Sequence, residues 1–222
     1  MNYITDDRCS KPRCDLLHIE SYCAVALEQG RYTWRHNEVL RVLHHFIGRK
    51  ARAVKKPVMV KPREMVLVKK GAGGRGAAKR EKPPALLDTA CDWHITVDLP
   101  EIKYHFPSIV AVTDKRPDLV LWSFALKLIV LLELTVPAEC NVMQAHDRKR
   151  LRYDAPGALA SDCRDAGWTV EVMPVEVGTL GFVAESTMRA CKKLGAWSKD
   201  LKVALEDVAL RGSYAIYIER KS

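Results

Sequence analysis

The run Leu128-Ile129-Val130-Leu131-Leu132, closed by Glu133, restricts the fold more than any other stretch of the chain. An amphipathic helix or a half-exposed strand would interrupt such a run with polar side chains. An unbroken run of this length instead suits a central strand covered on both faces. The strand predicted around it spans 126–136. The run is far short of the roughly 18 apolar residues of a membrane span, so no membrane partner is expected. Glu133 is the telling residue, because a carboxylate at the end of a buried strand is costly unless it is paired, hydrogen-bonded or bound to a metal.

Around that strand the pattern alternates between helix and strand. Val39, Leu40, Val42, Leu43, Phe46 and Ile47 recur at near-helical spacing, which predicts an amphipathic helix over 31–47 with Gly48 as its stop. Further strands are predicted over 93–99, 108–113, 118–123 and 168–175, and helices over 142–154, 186–194 and 199–210. Strands interleaved with helices in one stretch imply an α/β fold. Three segments follow: 1–48 with a cysteine cluster and a helix, a basic linker over 49–85, and a larger domain over 86–222.

The linker holds thirteen basic residues between positions 49 and 82, against Glu64 and Glu81. The whole chain has 36 Lys and Arg and 27 Asp and Glu, for a net charge of +9. Excess positive charge suits a nucleic acid, DNA or RNA, or an anionic membrane surface, with Lys69, Lys70, Arg75, Lys79 and Arg80 as candidate phosphate contacts. A charge run is equally the mark of a solvated linker. A short strand is predicted over 65–68. Gly71-Ala72-Gly73-Gly74-Arg75-Gly76 has neither the spacing nor the flanking elements of a nucleotide-binding loop, so no nucleotide cofactor is expected.

Seven cysteines and no secretion signal point to a reducing, intracellular compartment. Cys91, Cys140, Cys163 and Cys191 read as small core residues. Cys9-x4-Cys14-x3-His18-x4-Cys23 offers three thiolates and an imidazole, a complete donor set for a tetrahedral Zn²⁺. The bland alternative makes Cys9 an exposed thiol and His18 a surface residue.

The chemistry concentrates between Arg116 and Tyr153. Arg116-Pro117-Asp118 opens one strand and Glu133 ends the next, after the fourteen residues 119–132. Two carboxylates meeting at one edge of a sheet suit a hard cation, Mg²⁺ or Mn²⁺. On the following predicted helix, Lys149, Arg152 and Tyr153 lie at i, i+3 and i+4, on one face.

In these residues the chain resembles the PD-(D/E)xK superfamily, and more closely the restriction-like endonuclease of site-specific non-LTR retrotransposons. That family carries Arg/Lys-Pro-Asp, a gap, Asp/Glu, and a lysine moved to the next helix in a Lys-x-x-Lys/Arg-Tyr pattern. Lys149-Arg150-Leu151-Arg152-Tyr153 matches, while the position two after the acid, where most of the wider superfamily has lysine, is Thr135. Trp122-Ser123, Glu133-Leu134-Thr135-Val136-Pro137, Gly167-Trp168, Pro174-Val175-Glu176-Val177-Gly178 and Gly181-Phe182-Val183 extend the likeness, as do Arg35-His36-Asn37 and the cysteine knuckle.

The resemblance implies a restriction-endonuclease-like mixed sheet flanked by helices, behind a small zinc-knuckle and helix segment. It also implies a nuclear DNA-nicking enzyme, a piece of a polyprotein lacking its reverse transcriptase. Asp118 and Glu133 then bind Mg²⁺ and Lys149 assists the attack on phosphorus. Tyr153 completes the catalytic set, and Arg116 and Arg152 help place DNA. His36 is assigned to capping or packing. Pro156-Gly157 should break the helix just after Tyr153, and a catalytically silent nucleic-acid-binding remnant is the other reading.

Overall fold

The computed structural model describes residues 16–58 and 83–219. The predicted strand over 65–68 falls outside them. Two short helices, α1 (Leu16–Ser21) and α2 (Ala24–Glu28), lead into the long α3 (Arg31–Ala53). A 3-10 turn at Leu86–Thr89 precedes β1 (His94–Val97), β2 (Leu119–Ser123) and β3 (Leu128–Thr135). Then come α4 (Val142–Asp154), α5 (Leu159–Asp165), β4 (Thr169–Glu176), α6 (Glu185–Leu194) and α7 (Lys199–Glu219).

The four strands form one mixed sheet in the order β1-β2-β3-β4. The first three run antiparallel as a meander, and β4 lies parallel to β3 after the crossover through α4 and α5. The apolar run is therefore central, and its residues 128–134 are all buried. Side-chain parity then sorts the two faces. Val130, Leu132 and Leu134 point into a core with Leu119, Leu121, Met173 and Val175, roofed by α3, α6 and α7. Ile129 and Leu131 point the other way, with Val120 of β2, against Tyr153, Leu159 and Cys163 of the α4–α5 layer.

α3 is part of the same core as the sheet: Val39, Leu40, Leu43 and Ile47 are completely buried there. It packs along α7, where Gly212 lets the two helices approach, since a Cβ at that position would sit 2.7 Å from Arg35 Cγ. Ile19, Cys23 and Ala26 of the first two helices close on Ile216 of α7.

Several expectations need correction. Gly48 does not stop α3, which runs on to Ala53 with Gly48 itself buried. The predicted strand over 108–113 is instead a turn, in which Val110 N–H donates to Pro107 O at 2.8 Å. Among the described residues no strand pairs with it, and Ile109 and Val112 are 70% and 93% exposed despite their β-branched side chains. Cys91 and Cys140 are exposed, whereas Cys163 and Cys191 are buried as expected. Helix α5 has no counterpart among the predicted elements, and α7 continues well past Leu210. The break at Pro156 does occur: α4 ends at Asp154, and Ala155 is extended, as a residue before proline prefers.

Gly195 ends α6 in the left-handed region at φ 79°, and a Cβ there would lie 2.5 Å from the Ala85 methyl. Gly195→Ala should therefore lose about 2 kcal/mol of stability, from the left-handed backbone penalty and the clash together. Urea unfolding monitored by circular dichroism checks this. An unchanged midpoint would show that the α6 terminus relaxes freely.

Candidate active site

The site follows from strand register. Continuing the Leu119↔Leu132 pairing by one residue sets Asp118 opposite Glu133, and continuing Val97↔Leu119 sets Asp98 beside Asp118. The Asp98 N–H donation to Asp118 O at 2.9 Å carries the sheet that one step further. Parity puts Asp118 and Glu133 on the face that carries Val120, Ile129 and Leu131, beneath α4. Backbone donors fasten both acids: Leu134 N–H donates to Asp118 Oδ2 at 2.7 Å, and Asp118 N–H donates to Glu133 Oε1 at 3.3 Å.

α4 crosses this edge and supplies the cation. Lys149 Nζ donates to Glu133 Oε2 at 2.7 Å and to Asp118 Oδ2 at 3.4 Å. One turn later Tyr153, almost fully buried, has its hydroxyl against Glu133. The i, i+4 spacing read from the sequence thus brings both side chains to the same carboxylate. Arg152 stays exposed, its guanidinium 5.4 Å from the Tyr153 ring centre. Arg116 lies over the Tyr104 ring and donates to Asp98 Oδ1 at 2.5 Å, so it braces the neighbouring acid.

His36 is the residue that sequence reasoning misplaced. Its Nε2 lies 3.5 Å from Asp118 Oδ1, and Asn37 Oδ1 holds its Nδ1 at 3.3 Å. It is a partner of the candidate site, beyond the capping or packing role assigned to it. The Arg35-His36-Asn37 triplet was the available signal, but nothing local in the sequence shows that α3 reaches Asp118. Tyr104 was missed altogether. Its buried hydroxyl has no hydrogen-bond partner among the described residues, and it feels the charges of Asp98 and Glu133.

The electrostatics separate the two acids. Burial, then the neighbouring Asp118 charge, pushes Glu133 up to about 7 against the pull of Lys149 and Tyr153. Burial also opposes ionisation of Asp118, but His36, Lys149 and the Leu134 N–H together hold it below its usual value. Burial likewise works against a charged His36, and the Asp118 contact outweighs it, so His36 is raised. Glu133 is 1% exposed at its side chain, whereas Asp118, Lys149 and His36 are 14%, 15% and 24% exposed. A substrate would therefore meet the site from the Asp118 side.

A second buried acid lies on the same face. Glu176 of β4 is paired in register with Thr135, and accepts hydrogen bonds from His146 on α4, at 3.1 Å, and from Ser186. Thr187 satisfies its backbone. With its charge and backbone both engaged, Glu176 reads as a tie between β4, α4 and α6.

Of the predicted zinc donors, His18 and Cys23 are buried at 8% and 1% exposure, while Cys9 and Cys14 lie outside the described residues. So do Lys69, Lys70, Arg75, Lys79 and Arg80. Among the described residues, no group of three or more His, Cys, Asp or Glu side chains is set to hold a metal ion. Nor is any described helix long and apolar enough to cross a membrane. No protein-family model and no curated protein matches the chain.

A glutamate raised from 4.5 to about 7 favours folding below its unfolded value and loses that contribution as pH rises through the folded one. Glu133→Gln removes the titration. The melting temperature of Glu133→Gln relative to the unmodified chain should therefore climb between pH 5 and pH 8. The gain should reach on the order of 2 kcal/mol, or several degrees. A difference that stays flat with pH would mean that Lys149 neutralises Glu133 throughout.

Proposed function

We propose that the chain is a metal-dependent DNA endonuclease of restriction-endonuclease-like architecture, derived from a non-LTR retrotransposon, which nicks DNA by phosphodiester hydrolysis. The observation that carries the reading is one ammonium, Lys149 Nζ, within 3.4 Å of carboxylate oxygens from two adjacent strands. The mixed sheet with an antiparallel meander and a helical crossover agrees with that architecture.

The donor set suits a hard divalent cation. Asp118 and Glu133 supply oxygens side by side, and their mutual repulsion is relieved by positive charge. Mg²⁺ commonly takes only one or two protein carboxylates, its remaining ligands being water and phosphate oxygens. Bound there, Mg²⁺ or Mn²⁺ would polarise the scissile phosphate and lower the pKa of a coordinated water. The chain's own residues do the rest. Lys149 orients the attacking water and offsets negative charge developing on phosphorus. His36 fixes the Asp118 carboxylate, and Tyr153 fixes Glu133. Arg152 and Arg116, exposed beside the site, contact backbone phosphates. Zn²⁺ at Cys9, Cys14, His18 and Cys23 and the basic residues 69–80 add sequence-independent grip on DNA, in keeping with a nuclear protein.

Supercoiled plasmid incubated with the full chain and Mg²⁺ or Mn²⁺ should become nicked. Asp118→Ala, Glu133→Ala and Lys149→Ala should each slow that nicking by about 100-fold or more. His36→Gln should slow it less, since His36 acts through Asp118. Undiminished nicking by Glu133→Ala overturns the assignment. DNA binding that weakens with salt, without nicking in either metal, identifies a binding protein that has lost its chemistry.

A further inference from the structure

Beside the carboxylate edge lies a separate pocket of about 280 Å³, lined by Glu20, Tyr22, Arg35, Thr135, Asn141 and Arg148 among others. It shares its supports with the site. Arg35 precedes His36 on α3, Thr135 follows Glu133 by two residues on the same face of β3, and Arg148 precedes Lys149 on α4.

Three residues of its lining carry polar atoms that are sealed in the wall without a partner. Ser21 Oγ, Arg35 Nε and Thr135 Oγ1 are buried without a hydrogen-bond partner among the described residues. Each such atom costs about 1–3 kcal/mol unless something enters to pair with it. Arg35 is itself only 2% exposed. Its two terminal nitrogens are engaged, Nη1 by Ser213 at 2.9 Å and Nη2 by the Glu20 carbonyl at 2.9 Å. Its Nε–H is left without a partner among the described residues, just behind the pocket wall.

The mixture of groups selects the ligand. A phosphate offers only acceptors and would meet the Glu20 carboxyl, which is 4% exposed in the same wall. A nucleobase carries donors and acceptors along one edge and has flat faces. It can answer the Arg35 donor, the two hydroxyls and Glu20 together. The exposed ring of Tyr22 stands at the rim, anchored by a hydrogen bond from Asn141, and offers a stacking surface. The volume is near the lower end of the roughly 300–1,000 Å³ typical of ligand pockets, room for one ring system.

We propose that this pocket receives a single unpaired base of the DNA, next to the phosphodiester presented to Asp118 and Glu133. The inference takes its substrate class from the nuclease reading. Extruding a base costs a few kcal/mol from intact duplex and least where pairing is already lost, so the pocket favours distorted or unpaired DNA.

The test uses the full chain with its zinc retained and Ca²⁺ in place of Mg²⁺, with a duplex carrying one extrahelical aminopurine and the same duplex fully paired. Binding to the first should be about tenfold tighter, with the aminopurine fluorescence quenched. Deoxyadenosine, and not inorganic phosphate, should compete for that preference. Thr135→Val removes one orphaned hydroxyl without changing shape, and Gln144→Trp fills the mouth from an exposed helix position. Both should bring the preference close to one while leaving affinity for paired duplex unchanged. Equal affinity of the unmodified chain for the two duplexes overturns the proposal, as does a preference that survives Gln144→Trp or is removed by phosphate. Nicking without base preference removes the pocket alone, and base preference without nicking removes the catalysis alone. Failure to bind either duplex overturns both.

Discussion

Two carboxylates facing each other across adjacent strands, one of them sealed from water, are the constraint on which the rest of this molecule turns. Glu133 sits where the apolar run demands burial on both faces, and Asp118 is its register partner. Such a pair persists only if a cation is delivered to it. That requirement fixes the crossover: α4 must run across the edge at the height that brings Lys149 between the acids. Pro156 ends α4 after Asp154, just beyond Tyr153, and α5 then turns back to cover Ile129 and Leu131. The first turns of α3 bring His36 to the open side of Asp118.

The contrast with Glu176 shows what distinguishes a tense acid from a settled one. Both are buried on the same face of the sheet, on neighbouring parallel strands. Burial raises each above the usual glutamate value. Glu176 has a hydroxyl and an imidazole as partners and no second carboxylate of the sheet beside it. Glu133 has Asp118 beside it, and the single Lys149 charge must serve both. Burial comes first in raising Glu133, and the neighbouring Asp118 charge, which Glu176 lacks, raises it further.

Much of this was legible in the residues. The central strand and its closing carboxylate were legible from local pattern, an unbroken apolar run with an acid at its end, whereas Lys149 and Tyr153 were singled out by the family resemblance, with their i, i+4 spacing setting them on one helix face. Elements decided by distant packing were not legible. His36 reaches Asp118 only because α3 roofs the sheet, a relation that helix periodicity cannot express. The β-branched stretch around Ile109 and Val112 has strand composition but no strand to pair with among the described residues, and composition does not say where a sheet ends. Gly48 and Gly212 looked like helix boundaries or carried no message. In the fold one lies inside α3 and the other is the thin place where α7 meets Arg35.

The meeting of the first and last helices has a topological consequence. Arg31, at the start of α3, donates to the Glu219 carbonyl at the end of α7 at 3.0 Å, and Ile19 packs on Ile216. The first and last described helices therefore close the fold at one place. A fold fastened in this way keeps the helices over the sheet from fraying separately: α3 and α7 hold or open together.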